Sequence, residues 1–90
     1  MLKDKKFFET LGAFLRAKRL EAGLSQDDVA KNFGYSTAQF VSNWERGLAA
    51  PPLKTLRRLI DIYGCDAKEV YEIVLGEQKK ILKRELLGGE

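Results

Sequence analysis

Residues 25–47 read SQDDVAKNFGYSTAQFVSNWERG, and this stretch decides the fold because it holds two sets of helix start signals. Ser25 is followed three residues later by Asp28, which is an acidic variant of a capping box. Ser36 is followed three residues later by Gln39, which completes a capping box of the usual kind. We therefore expect two short helices joined by a tight turn. Two such short helices bury little surface against each other. We therefore expect their role to be the presentation of the outer face of the second helix to another molecule.

Four glycines divide most of the chain into helix-sized segments, because helices commonly end on a residue with positive φ. They are Gly23, Gly34, Gly47 and Gly64. Apolar residues recur at helical spacing within the segments, and no segment alternates apolar and polar residues as a strand does. A first helix is expected over about residues 7–22, a fourth after Pro51 and Pro52, and a fifth from residue 67 towards 87. The prediction is an all-α, compact five-helix domain.

The composition limits the possible functions. The chain has 90 residues, 44% of them hydrophobic and 32% charged, which suits one small globular domain. With one cysteine and no histidine, the usual metal sites and Cys/His nucleophiles cannot be built, so we expect no enzyme, metal or cofactor. No apolar run approaches the roughly 20 residues of a membrane helix, and the N-terminus lacks a secretion signal. We expect a cytoplasmic protein. The net charge of +3 suits a polyanionic partner, although solvated helices also carry such an excess.

The third predicted helix has two faces: one is expected to pack in the core, and the other is available to contact a partner molecule. The predicted buried face carries Thr37, Val41, Trp44 and Leu48. The other face is polar and has no carboxylate; it carries Gln39, Ser42, Asn43 and Arg46, with Ser36 at its leading edge. Gln and Asn amides can pair with both N6 and N7 of adenine in the major groove, and Arg46 can contact phosphate. Alternatively this face is only solvated and Gln39 closes the capping box. Phe40 flanks the buried face, and we expect it to pack on Tyr35; the alternative for Phe40 is contact with a thymine methyl group or the sugar-phosphate edge.

These residues resemble the lambda-repressor-like, XRE-type helix-turn-helix family. The motifs that carry the resemblance are LSQDDVA at 24–30, Gly34 and WERG at 44–47, and the similarity covers about residues 9–75. It implies that the third helix lies in the DNA major groove and that the second begins at the DNA backbone. The predicted organisation is a basic lead-in (1–8), a helix-turn-helix DNA-binding domain (9–75) and a C-terminal helical extension with a loose tail (76–90).

The resemblance also implies roles for individual residues. Base-reading positions fall on Thr37, Ala38, Gln39 and Asn43, and phosphate-facing positions on Gln26, Ser36, Arg46 and Lys54. It further implies an ion pair between Arg19 and Glu45, and a buried carboxylate at that position needs such a partner. The turn before the third helix is one residue longer than in the commonest members. Whether Ser36 or Thr37 caps this helix, and whether Gln39 is free to read a base, therefore stays open.

The function predicted from these features is transcriptional regulation, with repression as the expected sign, by binding a specific double-stranded DNA operator. The fifth helix carries apolar residues at helical spacing: Val70, Ile73, Val74, Ile81, Leu82 and Leu86. Its distal part either packs locally or meets a second copy through residues 81, 82 and 86, which would give a homodimer on a pseudo-palindromic operator. Alternatively, the basic cluster at 79, 80, 83 and 84 makes a non-specific phosphate contact. The alternative function is an antitoxin or another protein-interaction module on the same fold.

Overall fold

Five α-helices make up the computed structural model, which describes residues 8–88. In chain order they are α1 (Glu9–Glu21), α2 (Gln26–Asn32), α3 (Gln39–Glu45), α4 (Leu53–Tyr63) and α5 (Ala67–Leu87). The described residues contain no strand, so the prediction of an all-α fold with five helices is confirmed. Phe7, with which the first helix was expected to begin, lies outside the described residues.

The predicted start of α2 is confirmed atom by atom. The Asp28 N–H donates to the Ser25 hydroxyl at 3.0 Å, and the Ser25 N–H donates to the Asp28 carboxylate at 2.9 Å. These two hydrogen bonds form a complete capping box. The backbone hydrogen bond from Ser25 is the main reason that the pKa of Asp28 is lowered. All four glycines that were read as helix ends have positive φ.

The predicted start of α3 is wrong. Ser36 caps nothing, because α3 begins only at Gln39, and its N-cap residue Ala38 makes no side-chain capping bond. The longer turn continues through residue 38, and within it the Gln39 N–H donates to the Thr37 hydroxyl at 3.2 Å. Of the predicted buried face, Val41 and Trp44 are buried. Thr37 and Leu48 are exposed instead, because both lie outside the helical segment.

The core forms around α1, which packs against α3, α4 and α5, while α2 packs against α3. Its buried apolar residues are Leu11, Leu15, Val29, Ala30, Val41, Trp44, Leu56, Leu59, Tyr63 and Val70. Gly12 permits a close approach of α1 to α3, since a Cβ at this position would lie 2.5 Å from the backbone oxygen of Trp44. The predicted contact between Tyr35 and Phe40 is confirmed, with the ring centroids 5.0 Å apart. The turn between α2 and α3 is thus held by aromatic packing.

The apolar residues of α5 divide between two faces. Val70, Ile73 and Val74 pack against the core, whereas Leu82 and Leu86, which the sequence placed on the same stripe, are exposed. The exposed face, hereafter the outer stripe, consists of Tyr71, Leu75, Leu82 and Leu86. The two faces are distinct because residues 71, 75, 82 and 86 repeat at helical spacing about a third of a turn from the core-facing residues.

The helix α5 also supports the start of α1. It runs without interruption through Gly76, and the Glu77 carboxylate accepts a hydrogen bond from the Leu11 N–H at 2.9 Å. Leu11 is the third residue of α1, whose own N-cap position provides no side-chain bond. The predicted domain boundary after residue 75 therefore does not coincide with a break in the structure. Glu77, beyond that boundary, is only 5% exposed and belongs to the packed part of the molecule.

Candidate nucleic-acid interface

The inner side of α3 is held by a buried ion pair. Arg19 of α1 donates from Nε to Oε2 of Glu45 at 2.6 Å and from Nη2 to Oε1 at 3.0 Å. Both residues are buried, with Arg19 6% and Glu45 9% exposed, and the hydrogen bonding to Glu45 raises the pKa of Arg19. The pairing predicted from the family resemblance is confirmed. It joins the C-terminal end of α3 to α1 through two charge-assisted bonds of fixed geometry.

Gln26 is the third member of this network. Its Nε2 donates to Oε1 of Glu45 at 2.9 Å, so Glu45 accepts from residues on both α1 and α2. We call Arg19, Gln26 and Glu45 the buried triad. The sequence placed Gln26 at the DNA backbone, and that contact stays a prediction. The amide of Gln26 also stabilises the position of α3 through this hydrogen bond. This structural role was not predicted from the sequence.

The outer side of α3 carries a second hydrogen-bonded network. Gln39 Nε2 donates to Oδ1 of Asn43 at 3.0 Å, and Arg46 Nη2 donates to the same oxygen at 2.7 Å. The three residues are spaced four and three positions apart, which is the spacing of neighbours on one helix face. Gln39 and Arg46 are exposed and Asn43 is half-buried. We call these three residues the exposed triad. The structure therefore brings three of the predicted DNA-contacting residues into one connected group.

The remaining predicted site residues surround the exposed triad or lie apart from it. Ser36 and Thr37 are exposed on the turn before α3. Ala38 is half-buried and packs against the core, which limits how far its methyl group can reach a base. Ser42 is half-buried within α3, and Lys54 is exposed at the second position of α4. Their contacts with DNA stay predictions.

Arg58 shows that a basic residue near the site can have a structural role. Its Nη2 donates to the backbone oxygen of Asn32 at 3.2 Å and to the Asn32 side-chain oxygen at 3.1 Å. Its guanidinium also lies 4.5 Å from the ring centroid of Phe33, within the range of a cation–π contact. Arg58 thus connects α4 to the end of α2. A prediction from positive charge alone would wrongly make this residue a phosphate contact.

Glu77, which contacts the first turn of α1, was not predicted from the sequence. A signal was present in the sequence. Glu77 follows Val70 by seven residues and precedes Ile81 by four, so a carboxylate occupies a core position of an otherwise apolar face. Such a residue needs a hydrogen-bond donor from another element, and here the donor is the first turn of α1.

Over residues 8–88, no helix is both long and apolar enough to cross a lipid bilayer. The same residues contain no cluster of three or more His, Cys, Asp or Glu side chains suited to a metal ion.

The fold and the two short helices at its centre define a helix-turn-helix protein. A model of the helix-turn-helix domain family matches residues 10–72, and the chain belongs to this family. A relative from Pyrobaculum aerophilum is 40% identical over 75 residues, which make up 83% of this chain and 29% of the relative. A second relative, from Aeropyrum pernix, is 34% identical over 71 residues, or 79% of this chain and 21% of the relative.

Both relatives carry the name "Putative HTH-type transcriptional regulatory protein". The chain spans less than a third of the length of either, at 29% and 21%. No solved structure matches the chain.

Proposed function

We propose that this protein binds double-stranded DNA in a sequence-specific manner and regulates transcription, with α3 in the major groove. The observation that carries the proposal is the exposed triad, a polar face without a carboxylate on a helix that the buried triad holds from behind. Amide and guanidinium groups on a rigid helix are suited to reading base edges. The names of the two relatives support the same assignment.

Phosphate contacts supply affinity and orientation in this proposal. Arg46 and Lys54 are exposed basic residues, Arg46 directly after α3 and Lys54 at the second position of α4. Ser36 and Thr37 offer hydroxyl groups on the turn before α3. Contacts of this kind position a protein on the duplex without specifying sequence. Repression would then follow from occupancy of the operator.

We further propose a homodimer that pairs the outer stripes of two α5 helices. Leu82 and Leu86 are exposed, and the charges of α5 are unevenly distributed along it. Its first half carries three Glu (69, 72 and 77) and one Lys (68), while its second half carries four basic residues (79, 80, 83 and 84) and one Glu (85). An antiparallel pairing would place the net acidic half of one helix along the net basic half of the other. Two α3 helices related by this two-fold axis would read a pseudo-palindromic operator.

A selection from random double-stranded DNA at moderate salt tests the DNA-binding proposal. The wild type should enrich one motif, and the double variant Gln39→Ala/Asn43→Ala should lose it while staying folded. Enrichment of no motif by the wild type would refute sequence-specific binding. Equal enrichment of the same motif by both proteins would refute the assignment of the reading face.

The dimer is tested separately by light scattering and sedimentation of Leu82→Glu. Leu20 on α1 gives a matched control, since Leu20 is 50% and Leu82 is 53% exposed. We expect a dimer for the wild type and for Leu20→Glu, and a monomer for Leu82→Glu. A motif with a single half-site and an unchanged mass for Leu82→Glu would contradict the dimer.

A second candidate function is a protein-interaction module, for instance the antitoxin partner of a toxin. It is favoured by an apolar groove of about 330 Å³ between α4 and α5, whose lining includes Leu53, Ile60, Tyr71 and Leu75. Leu53 and Tyr71 are exposed there. A stable complex with the product of the adjacent gene, together with failure of the DNA selection, would favour this function over operator binding.

A further inference from the structure

The exposed triad determines which hydrogen-bonding groups Asn43 can offer to a ligand. Arginine has donors and no acceptor, so the Asn43 atom that lies 2.7 Å from Arg46 Nη2 must be the oxygen Oδ1. The Gln39 atom that lies 3.0 Å from this oxygen must then be the donor Nε2. The orientation of both amides therefore follows from the chemistry of Arg46.

This arrangement gives the two amides different capacities. A carbonyl oxygen has two lone pairs, and in Asn43 both are used by Gln39 and Arg46. Within residues 8–88, no hydrogen bond uses the two N–H groups of Asn43, and none uses the side-chain oxygen of Gln39. Asn43 thus presents donors alone, whereas Gln39 keeps an acceptor and one N–H donor.

The base edges of the major groove distinguish these two patterns. To pair with adenine through both N6 and N7, an asparagine must accept one hydrogen bond and donate another. Guanine presents two adjacent acceptors, N7 and O6, and thymine presents the acceptor O4. Adenine presents the acceptor N7, but its neighbouring N6 amine is a donor and opposes a second N–H group, and the exocyclic amine of cytosine is also a donor. A side chain that offers only donors matches guanine best and thymine next.

We propose, on the basis of the proposed DNA-binding function, that Asn43 reads guanine or thymine and not adenine, while Gln39 reads adenine. Arg46 is the positioning residue that imposes this choice. Its bond to Asn43 is charge-assisted and short, so it is the stronger of the two bonds that occupy the Asn43 oxygen. Without Arg46 the Asn43 amide is held only by the weaker bond from Gln39, so it can turn its oxygen towards the DNA and adenine becomes an acceptable partner.

The experiment measures base preference for four proteins by selection from random duplex DNA and by titration of the selected sites. They are the wild type, Asn43→Ala, Arg46→Leu and the control Lys54→Leu. Arg46 and Lys54 are both exposed, and each substitution removes one positive charge. Of these two basic residues, Arg46 is the one that is hydrogen-bonded to Asn43. Thermal melting of the four proteins checks that each is folded.

The position that loses its preference in Asn43→Ala identifies the base that Asn43 reads. In the wild type this base should be guanine or thymine, preferred over adenine roughly five- to 150-fold, as for a good side-chain–base pair. Arg46→Leu should reduce this preference at least fivefold and enrich adenine at the same position. Lys54→Leu should weaken binding to all sequences without changing the motif, as expected for loss of a phosphate contact.

Two results would overturn the inference while leaving DNA binding intact. One is adenine at the Asn43-dependent position of the wild type. The other is an unchanged motif in Arg46→Leu with uniformly weaker binding, which would show that Arg46 contacts phosphate alone. If the wild type selects no motif, the proposed function itself fails and the inference falls with it.

Discussion

Two hydrogen-bonded triads of similar design flank α3, and they differ in where their members originate. In the buried triad Glu45 accepts from Arg19 of α1 and Gln26 of α2, so three helices meet at one carboxylate. In the exposed triad Asn43 accepts from Gln39 and from Arg46, which lies directly after α3. A network between helices fixes the position of a helix, whereas a network within about two turns of one helix fixes only the orientation of its side chains.

This difference between the two triads predicts that substitutions in them will have different effects on stability and on DNA binding. Removing one partner of a buried charge pair leaves the other charge uncompensated, which is strongly destabilising. Removing a member of an exposed network on one helix changes stability by a few tenths of a kcal/mol, as for other surface pairs. Mutations in the buried triad should therefore alter stability and binding together, and mutations in the exposed triad should alter binding alone.

The largest expected effect is that of Glu45→Ala, which leaves Arg19 buried without its carboxylate. We expect the free energy of unfolding to fall by about 3–5 kcal/mol and DNA binding to weaken with it. Denaturant unfolding and a DNA titration at matched folded fractions measure the two effects. The control is Glu21→Ala, because Glu21 forms an exposed ion pair with Lys18 at 3.4 Å and its loss should cost at most about 1 kcal/mol. Weakened binding with unchanged stability of Glu45→Ala would show that Glu45 is not structural.

The second effect tests the close approach of α1 to α3. In Gly12→Ala the new methyl group would lie 2.5 Å from the Trp44 oxygen and 2.7 Å from the Glu45 oxygen. Both are backbone atoms, so the helices must move apart, at a cost of about 1–3 kcal/mol in the free energy of unfolding.

Gly76→Ala is the matched control for this substitution. Gly76 lies within α5, and a Cβ there would meet nothing within 4 Å. That substitution should stabilise the protein by about 0.4–1 kcal/mol, because alanine loses less backbone freedom on folding. Chemical denaturation measures the change in the free energy of unfolding for both variants. If Gly12→Ala stabilised the protein as Gly76→Ala does, the close packing of α1 on α3 would not matter for stability.

The third effect concerns the helix start that carries Gln26. Ser25→Ala removes the hydroxyl that accepts from Asp28 N–H, and we expect a loss of about 1 kcal/mol in the free energy of unfolding. Ser36→Ala is the control, since Ser36 is exposed and lies outside α3, and its effect should stay within about 0.5 kcal/mol. A larger loss in the free energy of unfolding for Ser36→Ala than for Ser25→Ala would show that Ser36 does cap α3, as its spacing from Gln39 suggested.

The features that could be predicted from the sequence are those that depend on local spacing or on the family pattern. The five helices follow from apolar periodicity, the α2 start follows from Ser25 and Asp28, and the contact of Tyr35 with Phe40 joins residues close in sequence. The ion pair of Arg19 with Glu45 followed from the resemblance. Ser36 misled because a start signal of the right spacing does not show where an extended turn ends.

The features that could not be predicted depend on how helices lie against one another. Gln26 reaches Glu45, 19 positions away in the chain, only because α2 and α3 pack at a particular distance. Glu77 reaches the Leu11 N–H across 66 positions. The donor-only character of Asn43 depends on side-chain rotamers, which residue type and wheel position leave undetermined.

The smallest effect on stability, and the sharpest test of the comparison, is that of Gln39→Leu. This variant removes one of the two donors to Asn43 but keeps Arg46, so Asn43 should remain oriented. We expect the free energy of unfolding to stay within about 0.5 kcal/mol of the wild type. The selected DNA motif should lose its preference at the Gln39-dependent base and keep guanine or thymine at the Asn43-dependent base. A loss of stability above about 1 kcal/mol, beyond what surface substitutions cost, would show that the exposed triad also holds the fold. In that case the exposed triad would contribute to stability as the buried triad does, and the two sides of α3 would not have separate roles.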